Sequence, residues 1–319
     1  MSSLLARFAE NSFWMARHME RAENLARLLD VNETFARDSH GEQDWLPILR
    51  LHSDEETFFS LYKQADAQSV VRFYIIDRRN PNSIAHSVYA ARENARSLRH
   101  LLSLEIWQQM NVFWNWLQTL QSRNLGLSKL SGLCGQIKGG CELHAGVAEK
   151  TMYRDQVWLF YRLGSHMERC DQTTRLVDIK YHALLPRPQD VGTPVDLSQW
   201  NALLRSAAAY HGYRRVYPRQ MSPKTVSGFI LFNPYLPRSL AFCVREINEL
   251  IRELLQLPEL KQVAFATDTV DRLNDFASRH PDQVLASGLH EFLDEVQIEL
   301  NNLTQQVERV FFKHKADPA

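Results

Sequence analysis

This sequence has little of what usually announces a function. Its 319 residues include only four cysteines, twelve glycines and twelve prolines. No apolar run approaches the roughly 18 residues that a membrane-spanning helix needs, so no span is predicted. The opening segment, Met1 to Glu10, carries Arg7 and Glu10 where a secretory signal would be continuously apolar. These two absences predict a cytoplasmic chain in which Cys134, Cys141, Cys170 and Cys243 stay reduced. Neither charge is in excess, with 37 Lys and Arg against 37 Asp and Glu. A neutral chain lacks the basic footprint of a general nucleic-acid binder, so no nucleic-acid partner is expected.

Local catalytic signatures are missing too. There is no G-x-x-x-x-G-K-[ST] loop and no G-x-G-x-x-G, so no nucleotide-binding motif of its own is legible. No G-x-S-x-G elbow and no H-E-x-x-H occur. Cys134, Cys141 and His144 could form half a zinc site, but no second ligand pair follows at zinc spacing, so no metal site is expected.

What is present is helical periodicity. Leu289, Phe292, Val296, Leu300, Leu303, Val307 and Val310 step by three and four, one apolar stripe on a long helix. No sustained period-two pattern predicts a strand, and Val70 to Ile76 reads as a buried helix. Asn82 or Ser83 can cap a helix reaching about Leu120. Five glycines predict a loop-rich region over residues 124–141. A helix from about Arg154 to Leu184 follows, then a stiff connector with Pro186, Pro188 and Pro194. Asp196 can cap a helix to about Tyr213, and further helices are predicted over Pro223 to Phe232 and Arg238 to Leu255. The expected fold is all-α, one compact multi-helix bundle over residues 1–319, with a soft boundary at most near 186–194.

The strongest signal is an internal repeat, with motif copies at residues 12–31 and 157–181. His-Met-Glu-Arg-Ala-Glu-Asn-Leu-Ala-Arg-Leu-Leu-Asp-Val over 18–31 matches His-Met-Glu-Arg-Cys-Asp-Gln-Thr-Thr-Arg-Leu-Val-Asp-Ile over 166–179. On a helix, Glu20, Glu23, Arg27 and Asp30 share one stripe, and Glu168, Asp171, Arg175 and Asp178 share its counterpart. Ala22, Ala26, Cys170 and Thr174 lie on the neighbouring stripe and are small enough for two helices to approach closely. A plain solvated face explains paired charges, each i,i+4 pair being worth about 0.2–0.5 kcal/mol. It does not explain why the same acid and Arg return at the same steps, because Lys or Gln would serve equally in water. Arg with carboxylates makes directional, bidentate pairs, so a partly buried ion-pair network or a ligand site is expected. The candidates are Glu20, Arg21, Glu23, Arg27, Asp30, Arg162, Glu168, Arg169, Asp171, Arg175 and Asp178. A weaker echo, Ala91-Arg-Glu-Asn-Ala-Arg96, adds Arg92, Glu93 and Arg96. Tyr210 to Pro218 mixes aromatics with Arg, as a surface that binds a phosphate or carboxylate would, but reads first as a helix end with packing aromatics.

At these residues the chain resembles the bacterial alpha-E family. Phe13 to Val31 resembles its opening motif, and Ala91 to Arg96 with Trp107 and Asn111 its second. Arg154-Asp155, Arg162-Leu-Gly164 and Glu168 to Tyr181 resemble its third, and Asn233-Pro to Pro237-Arg-Ser239 with Arg245 its last. One departure is Ala16, where the family usually carries Gly; the second copy keeps Gly164. The resemblance implies an all-helical domain of unknown function, encoded beside or fused to a circularly permuted ATP-grasp protein, often with a transglutaminase-like protein nearby. It therefore implies a setting of ATP-dependent amide or peptide bond formation, with ATP and Mg²⁺ supplied through the partner. Two roles remain open on the residues: binding a carboxylate- or amine-bearing substrate through the Glu/Arg stripes, or serving as a helical scaffold for the ATP-grasp protein.

Overall fold

The computed structural model describes residues 3–38, 45–121, 125–183, 193–219, 221–260 and 263–312. Helices are the regular elements of the described residues, and no strand occurs among them. The chain opens with α1 (Ser3–Asp38), then three short helices, α2 (Leu46–Leu51), α3 (Glu55–Leu61) and α4 (Ala67–Ile75). The next group is α5 (Ile84–Ser97), α6 (Leu104–Gln118), α7 (Leu127–Thr151) and α8 (Gln156–Ala183). The last seven are α9 (Pro194–Ser206), α10 (Tyr210–Val216), α11 (Pro223–Phe232), α12 (Leu240–Gln256), α13 (Asp268–Ser278), α14 (Pro281–Ser287) and α15 (Leu289–Val307).

Two long helices, α1 and α8, sit at the centre. α1 packs on α5, α7, α8 and α9, while α8 packs on α2, α12 and α15 as well as α1. Their buried side chains belong to one continuous core reaching from Ala9 to Phe312. A helix enclosed on several sides has no need of a single apolar stripe, and its polar residues must then find partners inside the protein. That is the setting of the repeat: Glu20, Glu23, Arg27, Glu168, Asp171 and Asp178 are buried alongside Ala22, Ala26, Cys170 and Thr174.

The contacts also fix direction. The Ser12 hydroxyl donates to the Val157 carbonyl, the Phe13 backbone lies against Gly164, and Arg21 reaches Glu168. Both residue numbers rise together, so α1 and α8 run parallel. The intervening residues contain the long crossover that parallel neighbours require. At Gly164 a Cβ would overlap the Phe13 carbonyl oxygen. The close backbone approach therefore depends on Gly164, while Ala16 is simply buried in the core.

Several local expectations hold. Val70 to Ile75 falls in α4, with Ile76 as its C-cap and Val70, Val71, Phe73, Tyr74 and Ile75 buried. Ser83, not Asn82, caps α5 by accepting from the His86 amide. The α11 boundaries match the proline-to-Phe232 expectation.

Others are corrected. The glycine-rich stretch predicted as a loop over 124–141 is helical from Leu127 onward, as part of α7, and residue 124 lies outside the described residues. Leu130, Leu133, Cys134, Ile137, Cys141, His144 and Ala148 make a buried stripe whose packing outweighs the roughly 1 kcal/mol that each helical glycine costs. Gly140 also accepts the Phe113 ring, which a Cβ would exclude. The helix expected from Ser83 to Leu120 is two helices, because Ser103 caps α6 by accepting from the Ile106 amide. The helix expected to reach Tyr213 breaks after Ser206, where Ala208 takes a positive φ of 53°. Its cap is Thr193, which accepts from the Asp196 amide, and not Asp196 itself. Pro186 and Pro188 of the predicted connector lie outside the described residues.

Candidate functional site

The repeat residues meet as a charge network along the α1–α8 seam. Its centre is reciprocal. Arg21 on α1 binds Glu168 on α8 through Nε–Oε1 at 2.7 Å and Nη2–Oε2 at 3.1 Å. Arg169 on α8 binds Glu20 on α1, with Nε–Oε1 at 3.1 Å and a second contact through Nη2. Each helix thus supplies the carboxylate that neutralises the other's guanidinium. The side residues differ between the copies. Arg17 adds a second cation to Glu168 at 2.7 Å, with the Gln172 amide donating at 3.1 Å. Ser165, one turn before Arg169, donates to Glu20 at 2.9 Å.

The network continues along both helices. Arg27 donates to Glu23 through Nε at 2.9 Å and Nη2 at 2.7 Å, to Glu142 on α7 at 2.9 Å and to the Ser206 carbonyl at 2.7 Å. Arg238, just before α12, closes over this end. It pairs with Glu23, donates to Asn24 at 3.0 Å, and lies 3.8 Å from Glu20 Oε2. On α8, Arg175 holds Asp171 at 2.8 Å and donates to the Leu51 carbonyl at 2.7 Å. Arg27 and Arg175 thus each hold a carboxylate one turn away on their own helix, in a partly buried network.

Electrostatics follow from the pairing. Burial by itself would raise the Glu20 carboxyl, but the guanidiniums of Arg169 and Arg238, with bonds from Arg169 and Ser165, outweigh it and lower it to about 2. Burial opposes ionisation of Glu168 in the same way, and Arg21 and Arg17 hold it well below the usual carboxylate range. The repeat histidines stay neutral. Burial, reinforced by Arg21, pushes His18 down to about 3, and burial with Arg169 and Arg162 does the same to His166. The imidazoles pack within or beside the core.

Not every candidate joins this network. Arg92, Glu93 and Arg96 bond within α5 and across to Asn111 of α6, at 2.8 Å for Arg92–Asn111 and 3.0 Å for Arg92–Glu93. They form a separate cluster, half-buried at Arg92 and Glu93 and exposed at Arg96, with Trp107 under Arg92. Arg162 turns outward from α8 to Glu246 of α12 at 2.5 Å. Asp30 binds Lys138 at 2.7 Å, whereas Asp178, its counterpart, binds His290 of α15 at 3.0 Å. The reading of residues 210–218 as packing aromatics also holds: Tyr213 is buried edge-on against Phe229, with its hydroxyl bonded to Thr225.

The sequence did not mark Arg17, Glu142, Ser165 or Gln172 as network members. Arg238 was visible only as part of the last family landmark. A single Arg far along the chain carries no periodic signal, so its role emerges from packing alone.

Three cavities border the network. A small polar one of about 130 Å³ lies between Arg21, His52, Asn82, Asp171, Gln172 and Arg175. Its His52 Nε2 is buried without a hydrogen-bond partner. A second, of about 350 Å³, lies on the other side of Arg175 and reaches His290 and Asp294. The third, about 460 Å³, is lined by Asp30, Lys138, Asn201 and Arg205 among others. Among the described residues, one group has metal-ligand proximity: Asp178, His290 and Asp294. The four cysteines are unoxidised and buried, and burial raises the thiols of all four. The described helices include none long and apolar enough to cross a membrane.

No solved structure matches the chain. Similar curated proteins are uncharacterised ones from Mycobacterium bovis and from two strains of Mycobacterium tuberculosis, each 26% identical over 314 residues. The alignment covers 91% of this chain but 34% of each relative, so the chain spans about a third of the length of the relatives it matches. Residues 4–312 match the family model Alpha-E, described as a predicted alpha-helical domain with a conserved ER motif. The Glu-Arg dipeptides Glu20-Arg21 and Glu168-Arg169 are the pairs that exchange partners across the α1–α8 seam. With nearly its whole length matched and both dipeptides at its centre, the chain belongs to the Alpha-E family.

Proposed function

We propose that this chain is a helical docking component of a system that forms amide bonds with ATP, and that its ER network is the frame rather than the reaction centre. One observation carries the architectural half of this reading. The buried carboxylates Glu20 and Glu168 are each taken by guanidiniums of the opposite helix, leaving those arginines committed to protein partners. A substrate carboxylate would have to displace a buried acid, at a cost of several kcal/mol for the charge left unpaired. The link to amide formation rests on the family resemblance, with a circularly permuted ATP-grasp protein as partner and ATP and Mg²⁺ bound there. The absence of a nucleotide motif in this sequence and the threefold greater length of the mycobacterial relatives both favour a unit that acts beside another.

A second reading, substrate binding by this chain, is favoured by the 130 Å³ cavity beside Arg21 and Arg175. Its volume suits a small carboxylate or amine, and its wall mixes cations, an acid and amides.

The test combines this chain with its ATP-grasp neighbour, ATP, Mg²⁺ and a pool of amino acids, and follows products by mass spectrometry. His52→Ala and Asn82→Ala alter the cavity while leaving the ER pairs in place. Product formation that needs this chain but tolerates both substitutions supports docking. Loss of product with the fold intact supports substrate binding. If no ATP turnover depends on this chain, both readings fail.

A further inference from the structure

We infer that Asp178, His290 and Asp294 form a binding site for a divalent transition-metal cation, in which Gln297 contributes its amide oxygen. This site is independent of the proposed docking role. Its ligands come from two elements. Asp178 lies near the C-terminal end of α8, buried at 4% exposure, while His290 and Asp294 are one turn apart on α15. One potential ligand atom from each residue lies within 4.8 Å of the other two. His290 Nδ1 is 3.0 Å from Asp178, and its Nε2 is 3.4 Å from Asp294. A given ion binds one of the two ring nitrogens; with one donor atom per residue the three lie within 4.8 Å, close to the roughly 3–4.4 Å between donors around an ion with bonds of about 2.0–2.2 Å.

A carboxylate pair alone would not argue for a cation. Gln297 supplies a second, separate observation. It lies on α15 three residues beyond Asp294, lines the same 350 Å³ cavity, and has a buried Nε2 with no hydrogen-bond partner. The two ends of an amide are assigned from their surroundings, and this nitrogen has no acceptor to justify its place. Rotating the amide puts the carbonyl oxygen there instead, an acceptor that a cation satisfies. The cavity leaves room for water to complete the coordination.

The local charges permit this. Arg175 and Arg50 line the cavity, but Arg175 is held by Asp171 at 2.8 Å and Arg50 by Glu55 at 3.2 Å. One imidazole with two carboxylates and an amide is a nitrogen–oxygen set that suits Zn²⁺ or Mn²⁺. The imidazole argues against Mg²⁺ or Ca²⁺, which take oxygen ligands. Sequence spacing gives no sign of such a site, because 112 residues separate Asp178 from His290. The site would tie α15 to α8.

Untagged protein is stripped with a chelator and titrated with Zn²⁺ by calorimetry, and with Co²⁺ by visible absorption. One Zn²⁺ per chain is expected, with Zn²⁺ displacing Co²⁺ from its ligand-field bands. Zn²⁺ should also raise the melting temperature, since it binds the folded state. His290→Ala and Asp294→Asn should each weaken Zn²⁺ binding by about tenfold or more, whereas Glu291→Gln on the same turn should not. Both altered side chains are partly exposed, so the variants should fold, and far-ultraviolet circular dichroism checks this. Absence of saturable Zn²⁺ binding to the wild-type chain overturns the inference. So does full affinity in either His290→Ala or Asp294→Asn, which would leave His290 as an imidazole bridging two acids.

Discussion

Arg21 and Glu168 form a bidentate pair between α1 and α8, and the Glu168 side chain is fully buried. Their sequence neighbours Glu20 and Arg169 form the reverse pair beside them. The two bonds run in opposite directions across the same seam, so neither helix can rotate or slide without stranding a charge.

Removing Glu168 should therefore be among the most costly single changes in this chain. Glu168→Leu leaves Arg17 and Arg21 without their shared acid, and the expected loss is about 3–5 kcal/mol. Replacing Arg17, Arg21 and Glu168 together by apolar residues should cost less than the single change. Denaturant titration of both variants checks the order; equal or reversed losses would mean the charges are solvated.

Arg27 should matter less, although it makes more bonds. After Arg27→Leu, Glu23 still keeps Arg238. The loss should be about 1–3 kcal/mol, the scale for a buried carbonyl left without its donor, here that of Ser206. A loss matching that of Glu168→Leu would show that Arg238 cannot compensate.

Gly164 tests the backbone contact. Gly164→Ala places a methyl against the Phe13 carbonyl, so the central helices must separate. About 1–3 kcal/mol of destabilisation is expected despite the better helix propensity of Ala. A melting temperature at or above that of the wild type would refute the close approach.

Acid should destabilise the protein in two overlapping stages. Burial holds His144 neutral down to about 4, and burial with nearby arginines holds His18, His52 and His166 neutral down to about 3. In the unfolded chain these rings protonate near about 6.5. Their folded values are lowered, so acid favours unfolding, and stability is lost from about pH 6.5 down to those values. Glu20 is also depressed, to about 2, against about 4.3 when unfolded, so its contribution is present above about pH 4.3 and lost as pH falls toward 2. Denaturant midpoints measured at intervals from pH 7.5 to pH 3 should begin to fall near about pH 6.5, at up to about 1.4 kcal/mol per pH unit for each histidine. A midpoint unchanged down to about pH 5 would mean these rings are not buried as neutral groups.

The helices were legible because their signal is local. The stripe from Leu289 to Val307, the Pro223 start of α11 and the Ser83 cap depend on spacing within a few residues. The i,i+4 pairs Glu23–Arg27 and Asp171–Arg175 were legible for the same reason, since one helical turn brings them together. The glycines of α7 misled because propensity is weak beside burial of a seven-residue stripe.

By itself, the sequence determined which residues lie on one helical face, because 3.6-residue periodicity orients side chains without reference to anything distant. It also made the two motifs alike. Only tertiary structure decided their partners. Glu20 pairs across 149 residues with Arg169, and Glu168 across 147 residues with Arg21, because α1 and α8 run parallel in matching register. Arg238, from the turn before α12, and His290, from α15, join where no period connects them to Glu23 or Asp178. A helix fixes the direction in which a charge points; the charge it meets depends on the packing of the whole chain.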